Sequence, residues 1–508
     1  MAKELIYRLS NPGYTIYHRA ALGGLAATVR AWGASKPEGI EAELQNDYVR
    51  LAWGDQLPEQ EALRRILAAA FKLTEDKMIN LPGQGIRADQ ADLRLAIHNG
   101  IMGTFLNHPT AYDAEELKRV ELKSVDEDAG SFFTYKALDS YAHQEALSRL
   151  KLTSAEGRVS AKACIPKWLV PGAFTGASAL EATAEESFLL LFLLVGCTLF
   201  LLRPRTYKEK AQYCVIVPDV IDLKAYSHAL QFITTSVTAI EKFGSSYRGR
   251  VVGGVEEAAL RFLIDLHAAD ITSERSVTGC LAVAMGKVSW DSKQINRSFI
   301  VKLKDSYPEI GVFREAYRYF ARARIIKSKK GEGYAIPASP VPELVAANLA
   351  AERHWCANFK WLVSDKKDFQ RMSYSLGGLK AMKEAIKDAD DQAIIRAFHE
   401  AWKRTMGALG DRARRDGLDF GRLVEVERER TRNAILRAKT TEALASWFLR
   451  FCADATKGAA LAAIREDAGR IQKFIFNQRN FNRFQNLCLF SLVSYASDES
   501  NSVNGGNQ

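Results

Sequence analysis

The chain has 508 residues, enough for two or three domains, with 47% hydrophobic and 26% charged residues. These proportions are those of a folded globular protein and exclude a largely low-complexity chain. The 70 Lys and Arg residues exceed the 60 Asp and Glu residues, which gives a formal net charge of +10. A basic excess of this size suits a nucleic-acid partner without requiring one.

The first predicted element is a helix that follows a turn at residues 11–13 and that Thr15 can cap. Gly23 and Gly24 lie on a face of small residues with helical period. A glycine in mid-helix costs about 1 kcal/mol relative to alanine, so we expect another backbone to pack closely there. The spacing lacks the pattern of a phosphate-binding loop, and His18 is interpreted as a structural histidine.

Strand and helix signals then alternate along the chain. A strand is predicted at 44–53, an amphipathic helix at 59–73, and a glycine-containing loop at 81–90. The apolar run 188–202 is shorter than the roughly 20 residues that span a bilayer as a helix. Gly196 interrupts the run, so it predicts a buried helix that leads into a core strand of a soluble protein.

The composition changes after about residue 330. Three prolines lie between 337 and 342, which is typical of a linker or connecting segment over 331–371. Residues 372–496 hold four helical segments with short polar connections, and their 22 Lys and Arg residues exceed 15 Asp and Glu residues. They predict a helical bundle, and 497–508 predicts a disordered tail. The fold class is therefore α+β: a mixed α/β N-terminal body over 1–330, followed by a C-terminal α-helical bundle.

Motifs for catalysis and metal binding are absent from the sequence. It contains no Gly-x-Ser-x-Gly elbow, no His-Glu-x-x-His and no phosphate-binding loop motif. The seven cysteines are scattered without a Cys-x-x-Cys pair, which is typical of reduced core thiols in a cytoplasm. His354 and Cys356 favour a buried turn over half of a metal site. We therefore predict no enzyme activity, no cofactor and no metal.

Candidate DNA contacts in the first 330 residues are basic or amide side chains beside glycine or aromatic residues. Glycines in the loop of Gln84 permit a close approach to a duplex. Trp290 offers a stacking plane with hydrogen-bonding side chains behind it, although it could equally be a core anchor. The candidates for DNA and flanking-motif contact are Gln84, Arg87, Lys208, Arg248, Arg250, Trp290, Lys293, Gln294 and Arg297.

A second set of basic residues in the predicted bundle could contact the backbone of a nucleic-acid strand. Helical spacing places Arg479, Arg483 and Asn486 on one face, where they could contact phosphates without reading sequence. The alternative is a solvated face of the bundle. Glu425 and Glu429 could likewise neutralise the neighbouring arginines. The strand-backbone candidates are Arg428, Arg432, Lys473, Arg479 and Arg483.

Three stretches resemble a known family. They are YRLSNPGYTIYHRAALGGLAATVRAW at the start, LLLFLLVGCTLFLLRPRTYKEKAQYCVIVPDV in the centre, and VSWDSKQINRS around Trp290. They are similar to segments of the large subunit of type I CRISPR surveillance (Cascade) complexes, in the I-B-like myxobacterial variety also called fruiting-body developmental protein T. The resemblance implies a non-catalytic subunit for antiviral defence. It would recognise the target-flanking motif (PAM), assist duplex opening, stabilise the R-loop and dock a helicase-nuclease.

The resemblance also implies a set of partners in a prokaryotic cytoplasm, with no membrane among them. These are guide RNA, target double-stranded DNA, the Cascade backbone and guide-end-binding subunits, a separate small subunit and the helicase-nuclease. The C-terminal bundle resembles that small subunit, and Met372 and Met382 are the positions where an internal start could begin. Two alternatives stay open, namely a nuclease whose site is assembled from distant residues and a helical scaffold that binds only protein.

Overall fold

The chain forms two compact units, Met1–Lys304 and Asp305–Gln508. The computed structural model describes residues 3–87, 90–122, 131–149, 158–160, 165–166, 169, 181–202, 212–235, 251–269, 276–285, 297–302, 309–320, 324–327, 333–336, 339–373, 376–455 and 461–495. Within these ranges the first unit combines small, mostly antiparallel sheets with helices, and the second unit is mainly helical. The α+β prediction is confirmed.

A three-stranded antiparallel sheet opens the first unit, in the order Lys3–Arg8, Tyr48–Trp53, Ile40–Leu44. The strand predicted at 44–53 is confirmed over Tyr48–Trp53, but its predicted start is wrong, because residues 45–47 form a tight turn from the strand Ile40–Leu44. The backbone N–H of Gln45 donates to the carbonyl of Tyr48 at 2.9 Å. The intervening Asn and Asp are common turn residues, and this local chemistry overrode the strand pattern.

The larger sheet of the first unit has five strands. Their order is Val251–Val252, Thr198–Leu202, Gln212–Val220, Val277–Ala284 and Arg297–Lys302. Neighbouring strands are antiparallel except for the first pair, which is parallel. The apolar run 188–202 contains the end of one helix, the helix Leu193–Gly196 and then the strand Thr198–Leu202, and most of its side chains are buried. A buried helix leading into a core strand is thus confirmed. None of the helices in the described ranges is long and apolar enough to cross a membrane.

The first helix, Ile16–Trp32, packs directly against the short helix Leu193–Gly196. A Cβ atom built on Gly24 would overlap the carbonyl oxygen of Phe192, and Gly196 is constrained in the same way from the opposite side. Only glycine leaves room for two backbones this close. The predicted close approach at the small-residue face is confirmed.

His18 stabilises the beginning of this helix. Its Nδ1 accepts a hydrogen bond from the backbone N–H of Thr15 at 3.2 Å, and its ring stacks on Tyr14 with centroids 5.0 Å apart. Burial lowers the pKa of His18, which favours the neutral ring that can accept this hydrogen bond. The neighbouring Arg19 pairs with Asp219 at 2.5 Å. The interpretation of His18 as structural is confirmed.

The remaining elements of the first unit surround these sheets. Further helices are Glu59–Ala70, Ala91–Gly103, Ala146–Arg149, Ala184–Leu190, Leu223–Thr235 and Val255–Ala269. Two-stranded ladders pair Lys72–Leu73 with Ile79–Asn80, Tyr112–Leu122 with Ser131–Tyr141, and Arg158–Ser160 with Glu181–Thr183.

The second unit contains ten helices and one hairpin within the described ranges. The helices are Ile310–Phe320, Val341–Ala350, Lys360–Val363, Lys366–Ser373, Leu376–Ala385, Ala389–Asp416, Phe420–Arg437, Thr441–Asp454, Ala462–Ile475 and Phe481–Ser494. The hairpin pairs Arg324–Lys327 with Gly333–Ile336. The segment proposed as a connection, 331–371, itself carries helices, and the functional boundaries at 330 and 371 stay predictions. The predicted tail lies outside the described residues.

The final helix, Phe481–Ser494, forms the centre of the second unit. Its Phe490 ring lies edge-on to Trp355, with centroids 4.8 Å apart, and to Phe359 at 5.5 Å. Phe484 makes the same kind of contact with Phe448 at 5.3 Å. These rings are almost completely buried and pack the final helix against its neighbours.

The six cysteines in the described ranges are buried and form no disulfide. Burial raises the pKa of these thiols, in the case of Cys452 to about 12, so they stay protonated at neutral pH. The prediction of core thiols is confirmed for these six, and Cys164 lies outside the described residues.

Substitution of Gly24 by alanine tests the close helix contact. The added methyl group would overlap backbone atoms that cannot move independently, so we expect Gly24→Ala to lower the free energy of unfolding by at least about 2 kcal/mol. Gly54→Ala is the control, because a Cβ atom there meets nothing within 4 Å, and it should stay within about 0.5 kcal/mol of wild type. Urea unfolding followed by circular dichroism measures both. Equal midpoints for the two variants would contradict the contact.

Candidate nucleic-acid interface

The loop that carries Gln84 is packed into the first unit. Gln84 is 6% exposed, and its amide nitrogen lies 3.5 Å from the carbonyl oxygens of Leu194 and Val195. A Cβ atom at the preceding Gly83 would overlap side-chain atoms of Val195. The glycine therefore serves close packing inside the protein, and the burial of Gln84 does not favour contact with a duplex.

Arg87, at the end of the same loop, is exposed. The loop is held by the buried Arg94, whose Nη2 donates to the carbonyls of Ile86 at 3.1 Å and Arg87 at 3.2 Å. Burial lowers the pKa of Arg94, and these carbonyls satisfy part of its guanidinium. Arg94 thus fixes the backbone from which the Arg87 side chain extends.

The other candidates of the first unit fall largely outside the described residues. This applies to Lys208, Arg248, Arg250, Trp290, Lys293 and Gln294. Arg297 begins the edge strand Arg297–Lys302, where it pairs with Ala284. All seven stay predictions.

Arg483 of the second unit lies in a cluster of charges around the buried Asp391 carboxylate, which we call the Asp391 network. Its Nη2 lies 2.7 Å from a carboxylate oxygen of Asp391 and 2.7 Å from one of Asp388. Asp391 is fully buried and also accepts a hydrogen bond from the indole N–H of Trp355 at 2.9 Å. His354 places its Nε2 2.9 Å from the same carboxylate. Arg483 therefore has a structural role, whatever else it contacts.

The network makes part of the stability dependent on pH. Burial alone would raise the pKa of Asp388, but the backbone N–H of Asp391 and the Arg483 guanidinium outweigh it, and the pKa is lowered. A carboxylate with a depressed pKa stabilises the fold above its usual pKa, and this stabilisation is lost as the pH falls through the lowered value. The network accordingly weakens in acid.

Lys473 and Arg479 are exposed, but they do not continue a single helical stripe. The helix Ala462–Ile475 ends, a turn follows in which Asn477 accepts a hydrogen bond from the N–H of Arg479 at 3.0 Å, and a new helix begins at Phe481. Asn486 is 2% exposed and accepts from the backbone N–H of Lys360 at 2.7 Å. The expected common face of Arg479, Arg483 and Asn486 is thus wrong, because the helix breaks within the spacing.

Arg428 and Arg432 lie on the helix Phe420–Arg437, which we call the arginine helix. Arg432 is 5% exposed, and burial lowers the pKa of Arg428. The carboxylates expected to neutralise them hydrogen-bond to the helix Lys366–Ser373, which we call the cover helix. Lys366 and, to a smaller extent, Arg432 lower the pKa of Glu429. Glu429 lies 2.8 Å from Lys366, and Glu425 accepts from the amide of Gln370 at 2.6 Å.

Sequence reasoning missed the cover helix. Its charged and amide side chains lie in the segment assigned to a connection, although the order Lys-Lys-Asp-Phe-Gln-Arg combines basic residues with a single aromatic ring. Phe369 is that ring, and the guanidinium of Arg432 lies 5.2 Å from its centroid. Which helix the segment packs against depends on tertiary contacts that local spacing does not encode.

The candidate internal starts, Met372 and Met382, are both buried in helices. The turn of His354 and Cys356 is internal too, with the His354 Nδ1 3.1 Å from a fully buried Cys356 sulfur. Within the ranges that the structure describes, no group of three His, Cys, Asp or Glu side chains is arranged to hold a metal ion.

Comparisons with known proteins match both ends of the chain. A family model of the DevT N-terminal domain matches residues 6–191, and one of the DevT C-terminal domain matches residues 382–507. Together they account for more than half of the chain. A protein of Myxococcus xanthus (strain DK1622), described as CRISPR-associated protein Cas8a1/Csx13, is 26% identical over 479 residues, which cover 86% of this chain and 80% of the relative.

Two arginine variants separate structural from surface roles. Arg483→Gln leaves the buried Asp391 carboxylate without its ion pair, so we expect a loss of about 3 kcal/mol in the free energy of unfolding. Arg479→Gln removes an exposed charge, and its effect should stay within about 0.5 kcal/mol. Urea unfolding at pH 7 provides the comparison. If Arg483→Gln unfolded at the wild-type midpoint, the Asp391 network would not stabilise the fold.

Proposed function

Because the chain belongs to the DevT family, we propose that it is the non-catalytic large subunit of an RNA-guided, DNA-targeting CRISPR complex. The observation that carries the proposal is the agreement of the two family models with a CRISPR-associated relative that aligns along most of the chain. In such complexes base pairing with the guide reads the target sequence. The protein then needs positive charge, a few base contacts and a stable framework.

The second unit is suited to contact nucleic-acid backbones through its surface arginines. Several of them on the long helix Ala389–Asp416 pair with carboxylates one turn away, such as Arg412 with Asp416 at 3.5 Å and Arg414 with Asp411 at 2.6 Å. Exposed ion pairs of this kind contribute little to stability. They can therefore exchange a carboxylate for a phosphate at low cost.

Exposed Lys473 and Arg479 border the break between the last two helices and are two further cations of the second unit. Such contacts would position the displaced strand and stabilise the R-loop without reading its sequence. Duplex opening at the flanking motif belongs to the first unit in this proposal. In the loop of Gln84, the exposed Arg87 is better placed to contact DNA than the buried Gln84. The candidates around Trp290 are the other residues proposed to contact the bases of the flanking motif.

The proposed partners are guide RNA, target double-stranded DNA, the Cascade backbone and guide-end-binding subunits, a separate small subunit and a helicase-nuclease, in a prokaryotic cytoplasm. The match to the DevT C-terminal domain begins at residue 382. Met382 is one of the two candidate internal starts, so an independent small subunit made from this gene is part of the proposal. A protein tagged at its C-terminus would reveal such a product on an immunoblot, and loss of that product on Met382→Leu would identify the start.

Co-purification tests the proposed function. The tagged chain is expressed with its neighbouring genes and a guide-RNA array, and the bound RNA is sequenced. We expect a guide RNA of uniform length together with a repeated backbone protein. Recovery of the chain alone would contradict the role as large subunit, and metal-dependent cleavage of DNA by the purified chain would contradict the non-catalytic assignment.

The salt dependence of target binding tests the surface of Lys473 and Arg479. In the assembled complex, Lys473→Gln with Arg479→Gln should lower the slope of log affinity against log salt concentration by about 0.7 for each lost single-strand contact. The charge-preserving pair Lys473→Arg with Arg479→Lys should keep the wild-type slope. Filter binding at several salt concentrations measures it. A glutamine pair with an unchanged slope would exclude this surface from the interface.

A further inference from the structure

The break between the last two helices, residues 476–480, presents an aromatic ring to solvent. We call these residues the junction. Phe476 is 52% exposed, whereas Phe474 and Ile475 directly before it are buried. A single exposed apolar side chain is common on protein surfaces and carries no argument by itself. The groups around the Phe476 ring are what distinguish it.

Hydrogen bonds fix the backbone from which this ring extends. The N–H of Phe476 donates to the carbonyl of Gln472 at 3.3 Å, and the N–H of Asn477 donates to the carbonyl of Phe474 at 3.3 Å. The side-chain amide of Asn480 donates to the same carbonyl of Phe474, also at 3.3 Å. The ring therefore extends from an ordered turn rather than from a frayed helix end.

Two cations flank the ring, and neither forms an ion pair within the ranges that the structure describes. Lys473 lies three residues before Phe476 and Arg479 lies three residues after it, and both side chains are exposed. Residues three apart on a helix are neighbours on its surface, and three residues of chain span at most about 11 Å even when extended. Both cations can therefore contact a strand that lies across the ring.

The carboxylate of Glu442, which lies at the junction, is held by other groups. Its own backbone N–H, the Thr440 hydroxyl and the Gln478 amide lower the pKa of Glu442, and neither of the two cations is among these causes. By contrast, Arg470, one turn before Lys473, pairs with Asp390 at 3.2 Å. The two cations beside the ring thus keep a charge that a phosphate can match.

We propose that Phe476 is a stacking platform for one base of an unpaired nucleic-acid strand, with Lys473 and Arg479 contacting the phosphates on either side of that base. Every base has a π-face, so an exposed ring between cations binds single strands without reading their sequence. The bases of a duplex already stack on each other and leave no face for the ring. That the strand is the displaced strand of an R-loop rests on the proposed function, whereas the chemistry of the platform does not.

The affinity of the purified full chain for a fluorescent single-stranded DNA, measured by anisotropy, tests the platform. Phe476→Leu removes the ring and keeps an apolar side chain, while Phe476→Trp keeps a ring. Phe420→Leu is the matched control, because Phe420 is 46% exposed in the same unit but follows Asp419, whose carboxylate caps the arginine helix. An abasic oligonucleotide of the same length separates stacking from phosphate contact.

We expect Phe476→Leu to bind the single strand at least about fivefold more weakly than wild type, because one stacked base is lost. Phe476→Trp should bind at least as tightly as wild type, and Phe420→Leu should bind as wild type does. The abasic oligonucleotide should bind equally to Phe476→Leu and wild type. The slope of log affinity against log salt concentration should also stay the same, because no charge is removed.

Thermal unfolding controls for damage to the fold. About half of the Phe476 side chain lies in solvent, so Phe476→Leu should keep the wild-type midpoint. Weaker binding that the abasic oligonucleotide shares, or that Phe476→Trp does not restore, would show a structural effect of the substitution and would overturn the platform.

Further outcomes separate the platform from the proposed function. Equal affinity of Phe476→Leu and wild type for the single strand, in a chain that still co-purifies with guide RNA, would overturn the platform and leave the role as large subunit intact. The expected DNA results in a chain that never recovers guide RNA would support the platform and contradict the proposed function.

Two results would exclude a nucleic-acid strand as the ligand of the platform. One is a wild-type chain that does not bind single-stranded DNA. The other is a Phe476→Leu chain that keeps its DNA affinity but loses another subunit during co-purification, because the ring would then be a protein contact.

Discussion

The pairing of the fully buried Asp391 carboxylate is the constraint on which the helical unit depends. Arg483 provides the opposite charge to Asp391 and to Asp388, and this ion pair links the beginning of the long helix to the final helix. The same carboxylate of Asp391 accepts the indole N–H of Trp355, whose ring packs on Phe490. The ion pair and the aromatic packing are thus linked through Asp391 and Trp355.

The first unit depends on a steric constraint instead. The first helix and the helix Leu193–Gly196 approach so closely that only glycine fits at Gly24 and Gly196. The hydroxyl of Tyr226 donates to the carbonyl of Gly196 at 2.5 Å and thereby ties a third helix to the contact. Because these contacts involve backbone atoms, they position the five-stranded sheet and the glycine loop with little freedom. Under the proposed function, this framework would hold in a fixed position the side chains that contact a duplex.

The sequence predicted those features that depend on local pattern. The two glycines indicated close packing because their cost in a helix needs compensation, and the apolar run before Thr198 indicated a buried helix followed by a strand. Local pattern did not predict the burial of residues whose position depends on tertiary contacts. Gln84 had the composition of an exposed loop residue but is packed on Leu194 and Val195. Asn486 had helical spacing from Arg479, but a helix break and the backbone of Lys360 place it in the interior. Glu429 pairs with Lys366, which is 63 positions away in the chain. The spacing of residues along a single helix cannot predict such a pair.

The proposed function assigns contact with the flanking motif to the first unit and contact with strand backbones to the helical second unit. Photocrosslinking tests this account most directly. The complex is assembled on target DNA with photoreactive groups attached along the backbone of the displaced strand, and the crosslinked peptides are identified by mass spectrometry. The account predicts crosslinks within residues 471–483. Crosslinks confined to other parts of the chain, or their absence from it in a fully assembled complex, would contradict it.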